Sequence, residues 1–253
     1  MADSQDQTTL KALDNQAVTR VLNLYAGIGG NRKLWENVEV TAVEINPEIA
    51  AIYQDMYPND RVIVGDAHQY LLEHYAEFDF IWSSPPCPTH SRARYGLGFH
   101  GKGYDAVYPD MRLYQEILLL KHHFEGAWVV ENVQAYYEPL ITPIPLGRHW
   151  YWANFRIENI KVRSTGISGA VTSSGKVLHA KSPAELSSQL GIDLSPYKIT
   201  NKRLLLRNAV EPEVGFHILS AAQGTHYNTE GIELVAMDLF SSTDLLESAK
   251  GGI

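Results

Sequence analysis

The sequence predicts an α/β fold with a mostly parallel central sheet, and three observations carry that expectation. Short apolar, β-branched runs alternate with stretches of helical spacing, the pattern of successive βαβ units. Glycine clusters, acids and prolines punctuate those runs at their ends. Polar or reactive side chains, namely Tyr25, Glu44, Asp66, Cys87 and Glu131, fall at or just past the strand ends. Parallel sheets bind ligands beyond the carboxyl ends of their strands, so these five residues point to one shared site.

The elements follow in order. Residues 20–26, Arg-Val-Leu-Asn-Leu-Tyr-Ala, read as a buried strand that runs into a glycine turn, and Val38 to Glu44 as a second strand ending in an acid. Pro47 opens a helical stretch from Glu48 to Tyr57, and Pro58 stops it. Arg61 to Val64 gives a third strand ending at Gly65-Asp66. Phe78 to Trp82 gives a fourth, running into Ser83-Ser84-Pro85-Pro86-Cys87. Met111 to Phe124 has helical spacing, and Ala127 to Val130 is a fifth strand that ends at Glu131-Asn132. Residues 164–175 turn to Ser, Thr and Gly, a loop composition, and residues 201–219 regain helical spacing before a tail that frays after Ser241.

With 253 residues the chain suits one α/β domain and a small appended lobe. No apolar run approaches the roughly 18 residues of a membrane span, and the polar opening Met-Ala-Asp-Ser-Gln-Asp-Gln lacks the pattern of a secretory signal, so a cytoplasmic location is expected. A single cysteine, Cys87, excludes an internal disulfide framework and a multi-cysteine zinc site. The ten histidines show no metal-ligand spacing, and no metal is expected. A net charge of -8 argues against phosphate binding until its distribution is read. Residues 156–207 hold 9 Lys and Arg against 3 Asp and Glu, a basic segment inside an acidic chain. Such a segment is either a solvated face or a local phosphate footprint.

Ala26-Gly27-Ile28-Gly29-Gly30 lets the backbone turn sharply and a ligand approach it closely. Its spacing is not G-x-G-x-x-G, and this tighter cluster suits a nucleoside ligand without a pyrophosphate. Glu44, 19 residues after Tyr25, is placed to accept hydrogen bonds from ribose hydroxyls. Pro85-Pro86 fixes φ twice and removes two donors just before Cys87, a stiffness that suits a sulfur held at a set distance from a substrate atom. A thiolate is suited to adding to the electron-poor C6 of a pyrimidine, which makes C5 nucleophilic. Glu131 is the candidate partner for ring nitrogen N3 if burial raises its pKa.

Together these segments resemble the DNA cytosine-5 methyltransferases. Asn23-Leu24-Tyr25-Ala26-Gly27-Ile28-Gly29-Gly30, Ser84-Pro85-Pro86-Cys87 and Glu131-Asn132-Val133 are similar, in that order, to the family's cofactor, nucleophile and Glu-Asn-Val motifs. The resemblance implies a Rossmann-like S-adenosylmethionine-dependent methyltransferase fold with a small target-recognition region. It divides the chain into a catalytic and cofactor-binding part at 1–155, a target-recognition region at 156–200, and a segment at 201–253 that returns to the catalytic part. It implies S-adenosylmethionine as cofactor and S-adenosylhomocysteine as its product. The cofactor would be held by Tyr25, Ala26, Gly27, Ile28, Gly29, Gly30, Glu44, Ile45, Asp66, Ala67, Pro86, Asn208 and Val210.

Cys87, Glu131 and Arg148 would be catalytic, with Arg148 contacting a flipped cytosine or holding Glu131. Ser91, Arg92 and Arg94, with Lys198, Lys202 and Arg203 of the basic segment, would contact nucleic acid. Glycines 96, 98, 101 and 103 would let residues 92–108 close over the flipped base. Pro88, His90 and Arg207 depart from the usual Gln, Phe and Gly of the family, while Ser91 matches.

Double-stranded DNA is the implied partner and a monomer the implied state. A cognate restriction endonuclease acting separately belongs to the restriction-modification members of the family. A branch with the same motifs acts on tRNA. An intact Cys87 and Glu131 oppose a non-catalytic binding module, and the missing G-x-G-x-x-G opposes a nicotinamide oxidoreductase.

Overall fold

The computed structural model describes residues 18–92, 105–160 and 181–224. Seven strands form one sheet in the order β3-β2-β1-β4-β5-β7-β6. Strands β1 (Thr19–Leu24), β2 (Val38–Glu44), β3 (Arg61–Val64), β4 (Phe80–Ser83) and β5 (Ala127–Val133) run parallel to one another. Strand β7 (His149–Ala153) is antiparallel to β5 and to β6 (Ile144–Leu146) at the sheet edge. The chain moves outward from β1 through β2 to β3 and then returns to the other side of β1 at β4. The crevice at this reversal of strand order lies between the ends of β1 and β4, where such sheets place their ligands.

Helices cover both faces of the sheet. On one face, α1 (Pro47–Met56) buries Tyr53 with Ala26 and Ala42. Helix α6 (Pro212–Ala222) packs Val214, Ile218 and Leu219 there against Val21, Val40, Phe80 and Val129. The opposite face takes Leu71 of α2 (Ala67–His74) and Leu113, Ile117 and Leu120 of α3 (Arg112–His123), packed on Leu22, Val43, Ile81 and Val130. Alternate residues of each strand thus feed opposite layers, which is why the central strands read as continuous apolar runs.

Two strong caps fix where α1 and α2 begin. The Asn46 side chain accepts from the backbone N–H groups of Glu48 and Ile49, and that of Asp66 from His68 and Gln69. A full capping box, Ser182 with Glu185, starts α4 (Pro183–Leu190). Helix α4, the short α5 (Lys202–Asn208), Ile28 and Ile52 share one apolar cluster, so these two helices lie against α1 and the glycine turn after β1.

Three features differ from the sequence reading. The region 201–219 is two helices, because Glu211-Pro212 interrupts it and Pro212 begins α6. Glu131 stands inside β5, since antiparallel pairing with β7 carries that strand on to Val133. The β6–β7 hairpin turns through Gly147, whose φ is +59°. The loop expected at 164–175, most of the glycine-rich stretch 92–108 and the tail after Ser241 lie outside the described residues.

Candidate active site

Strand β1 ends in a backbone that only a few residues tolerate: φ is +55° at Tyr25, +55° at Gly27 and +71° at Gly29. A Cβ on Gly29 would stand 2.4 Å from the ring of Tyr57, and one on Gly30 would stand 2.4 Å from the carbonyl oxygen of Val210. The glycine turn is therefore closed from behind by α1 and by Ala209-Val210, the segment that returns from the far end of the chain. Asn208 beside it is exposed. Beneath the turn, buried Asn23 and Asn31 bond to each other through their carboxamides, at 2.8 Å and 3.4 Å.

Glu44, buried at the end of β2, accepts from the N–H of Gly27 at 3.0 Å and from the N–H of Asn46 at 2.9 Å. Its neighbour Ile45 is 69% exposed, and Val64 at the end of β3 is 56% exposed. Apolar side chains open to solvent at two adjoining strand ends, beside a carboxylate and a glycine turn, fit a nucleoside, with its flat ring against the apolar pair and its ribose near the acid. Asp66 and buried Ala67 begin α2 next to this cradle.

Across the crevice, β4 delivers Ser84-Pro85-Pro86-Cys87. Buried Asn132 of β5 donates its Nδ2 to the carbonyl of Pro85 at 2.9 Å, which pins this turn to the neighbouring strand. Cys87 is partly buried and closes a short turn, its carbonyl accepting from the N–H groups of His90 and Ser91. Burial pushes its thiol up to about 11; the charge of Glu131 adds to that rise, while Arg148 draws it down.

Glu131 is 8% exposed, and burial lifts its carboxyl to about 7 against the opposing effects of a hydrogen bond with Ser84 and the charge of Arg148. Ser84 Oγ in turn accepts from the indole N–H of Trp82 at 2.9 Å. One chain of contacts thus joins the cysteine turn to the acid.

Arg148 is half-buried and sends Nη2 to the carbonyl of Arg207 at 2.5 Å, tying the β6–β7 hairpin to the end of α5. Besides Ser84, the side chain of His149 reaches Glu131, with Nε2 3.5 Å from Oε1. Burial, with the Arg148 charge added, holds His149 down to about 4, so at neutral pH this contact joins a neutral imidazole to the acid and is not an ion pair.

Ser91 pairs with Ala135 in an isolated bridge, and Arg92 Nε donates to the Ala135 carbonyl at 3.0 Å. Arg94 lies outside the described residues. Lys198 is exposed, whereas Lys202 and Arg203 are half-buried and donate to the carbonyls of Ser195 and Lys181. Pro86 is exposed beside the cysteine. Among the described residues no three His, Cys, Asp or Glu side chains group to hold a metal, and no helix is long and apolar enough to cross a membrane.

Sequence reasoning passed over Glu116 and gave no role to Asn132 or His149. Glu116 is fully buried in α3 and accepts from the hydroxyls of Tyr25 at 2.6 Å and Ser83 at 2.5 Å, with His68 Nδ1 at 2.8 Å. An acid amid the apolar positions of a helix, here Tyr114-Gln115-Glu116-Ile117, was the available signal.

Residues 19–137 match the sequence model of the C-5 cytosine-specific DNA methylases. Among solved structures, the chain is similar to the Spodoptera frugiperda DNMT2 E260A/E261A/K263A mutant, with a TM-score of 0.51 and 15% identity over 81% of this chain and 99% of that one. It is also similar to the Entamoeba histolytica methyltransferase EhMeth, with a TM-score of 0.49 and 12% identity over 83% and 99%. No curated protein matches it significantly. The glycine turn, the acid after β2 and the sheet order are those of a methyltransferase fold whose cofactor is S-adenosylmethionine. The match at 19–137 to the C-5 cytosine-specific DNA methylases takes in the glycine turn, the cysteine turn and Glu131-Asn132.

Proposed function

We propose that the chain methylates C5 of a cytosine in a short DNA sequence, with Cys87 as the covalent nucleophile and Glu131 as the acid facing N3. The observation that carries this reading is the meeting of a proline-stiffened cysteine turn with a buried, proton-retaining carboxyl on the next strand, joined through Asn132 and Ser84. Residues 25–30, Glu44, Ile45, Asp66, Ala67, Pro86, Asn208 and Val210 are the proposed cofactor contacts. Bound there, S-adenosylmethionine supplies a methyl group on an electron-poor sulfonium.

The Cys87 thiol gives its proton to solvent, and the thiolate adds to C6 and pushes the C5=C6 electron pair onto C5, which would take the methyl group and leave S-adenosylhomocysteine. Glu131, protonated, hydrogen-bonds N3 and so disperses the charge that builds on the ring. Loss of the C5 proton to solvent re-forms the double bond and expels the thiolate. The two faces of C5 and C6 are open to opposed reagents only when the base leaves the stack, so the cytosine is flipped, and residues 92–108 are the proposed cover.

Arg148 sets the hairpin against α5 and lowers the thiol's pKa by its charge. Target reading is assigned to residues 156–200, between the catalytic part at 1–155 and the returning segment 201–253. Double-stranded DNA is contacted by Ser91, Arg92 and Arg94 and by Lys198, Lys202 and Arg203. The chain works as a cytoplasmic monomer, separately from any cognate endonuclease.

The test is transfer of a labelled methyl group by the whole protein to duplex DNA and, in parallel, to tRNA. Label on C5 of DNA cytosines at one short sequence is expected. Label on tRNA alone moves the enzyme to the RNA-acting branch, and label on neither overturns the proposal.

A further inference from the structure

Glu116 has no part in the reaction just described, yet three segments of the site converge on it. Tyr25, the first residue after β1, gives its hydroxyl proton to Oε1 at 2.6 Å. Ser83, the last residue of β4 before the cysteine turn, gives its own to Oε2 at 2.5 Å. His68, in the first turn of α2 next to Asp66, brings Nδ1 to Oε1 at 2.8 Å. The carboxyl group is fully buried, and a buried polar group is costly unless its oxygens find hydrogen-bond partners. Here two hydroxyl donors and a histidine ring nitrogen, from three chain segments, meet that need.

We infer that Glu116 is a positioning residue which locks the cofactor turn, through Tyr25, and the nucleophile turn, through Ser83, into one rigid unit across the crevice. The inference rests on the methyltransferase reading of the site. Tyr25 stands at φ +55°, a backbone state a tyrosine adopts only when its surroundings hold it there, and the bond to Glu116 is the polar contact that does so. Ser83 is fully buried and lies four residues before Cys87 on a turn stiffened by two prolines, so a displacement of its hydroxyl carries to the sulfur.

The groups facing His68 are Glu116 and Arg112 from α3 and Asp66 from its own helix cap. The hydrogen bond to Glu116 is the largest cause of its raised pKa. Burial and the Glu116 charge likewise push the Tyr25 phenol upward, so it stays a donor throughout the working pH range.

The experiment uses Glu116→Gln, Tyr25→Phe and Ser83→Ala in the whole protein, with two readouts that need no nucleic acid. The first is S-adenosylmethionine affinity by calorimetric titration. The second is the rate at which iodoacetamide alkylates Cys87 across pH. Tyr25→Phe is expected to weaken cofactor binding about tenfold, the worth of one hydrogen bond to a charged group, with alkylation unchanged. Ser83→Ala is expected to change the alkylation profile and leave affinity unchanged.

Glu116→Gln is expected to do both, and Tyr25→Phe in the Glu116→Gln background is expected to weaken binding by less than about twofold more. Wild-type affinity and wild-type alkylation in Glu116→Gln, or additive losses in the double variant, overturn the inference. If Glu116→Gln does not fold, the two single hydroxyl deletions decide it, and failure to separate binding from thiol reactivity overturns it. A mistaken choice of nucleic acid leaves both readouts untouched and is detected by the methyl-transfer assay alone.

Discussion

Burial keeps a proton on Cys87 up to about pH 11 and on Glu131 up to about pH 7, whereas the proposed chemistry needs the first group bare and the second protonated. The competent state is thus the less populated way of sharing one proton between the pair. Below about pH 7 Glu131 is protonated and the thiolate fraction rises tenfold per pH unit, so the single-turnover rate climbs with unit slope. Between about 7 and 11 the loss of protonated Glu131 cancels the gain in thiolate, and the rate is level. In Glu131→Gln the amide donates at every pH and the Glu131 charge no longer raises the thiol's pKa. The profile is then expected to keep climbing past pH 7 and to level off below pH 11, at a lower overall rate. Rapid-quench measurement at saturating cofactor reads this; a wild-type rate that falls above pH 7 contradicts it. Cys87→Ala is expected to abolish transfer and leave calorimetric cofactor affinity within about twofold, because the thiol is not among the proposed cofactor contacts, most of which follow β1, β2 and β3.

The elements place these side chains by close backbone contacts, and those contacts are where single changes cost most. Gly30→Ala sets a methyl group 2.4 Å from the Val210 carbonyl, so the turn or the returning segment must shift. A loss of about 1–3 kcal/mol in denaturant unfolding, with weaker cofactor binding, is expected; unchanged stability and affinity contradict the packing described. The parallel strands and the residues at their ends were legible because each strand carries a continuous apolar run closed by a turn residue or an acid. The β6–β7 hairpin was not, since Ile144-Pro145-Leu146 is too short for a periodic signal and Pro145 argues against a strand. Glu116 escaped for a related reason: helical spacing marks which positions are buried, but only the three-dimensional meeting of Tyr25, Ser83 and His68 explains why one of them is an acid. His149 was passed over because the motif points to the arginine beside it, while the fold turns the histidine toward Glu131.

Across the whole molecule, charge is unevenly spread: the net charge is -8, yet the segment 156–207 is basic. Helix α4 and α5 carry part of that segment and are packed on α1 and Ile28, so the described basic residues ride on a firm base. Lys198 is exposed there, and Lys198→Ala is expected to weaken DNA binding and to flatten the plot of log affinity against log salt by about 0.9. An unchanged slope in fluorescence anisotropy titrations makes the residue part of a solvated face only.

The central claim, that Cys87 forms a bond to C6 of a flipped DNA cytosine, is tested most directly by trapping. Fluorine at C5 blocks loss of the final proton, so the sulfur cannot leave once the methyl group has been transferred. Incubated with S-adenosylmethionine and duplex DNA carrying 5-fluorocytosine at the methylated position, the protein is expected to yield a denaturation-resistant adduct. Mass spectrometry is expected to map that adduct to Cys87, and Cys87→Ala to form none. Methylation of the ordinary duplex with no trapped adduct on the fluorinated one contradicts the account.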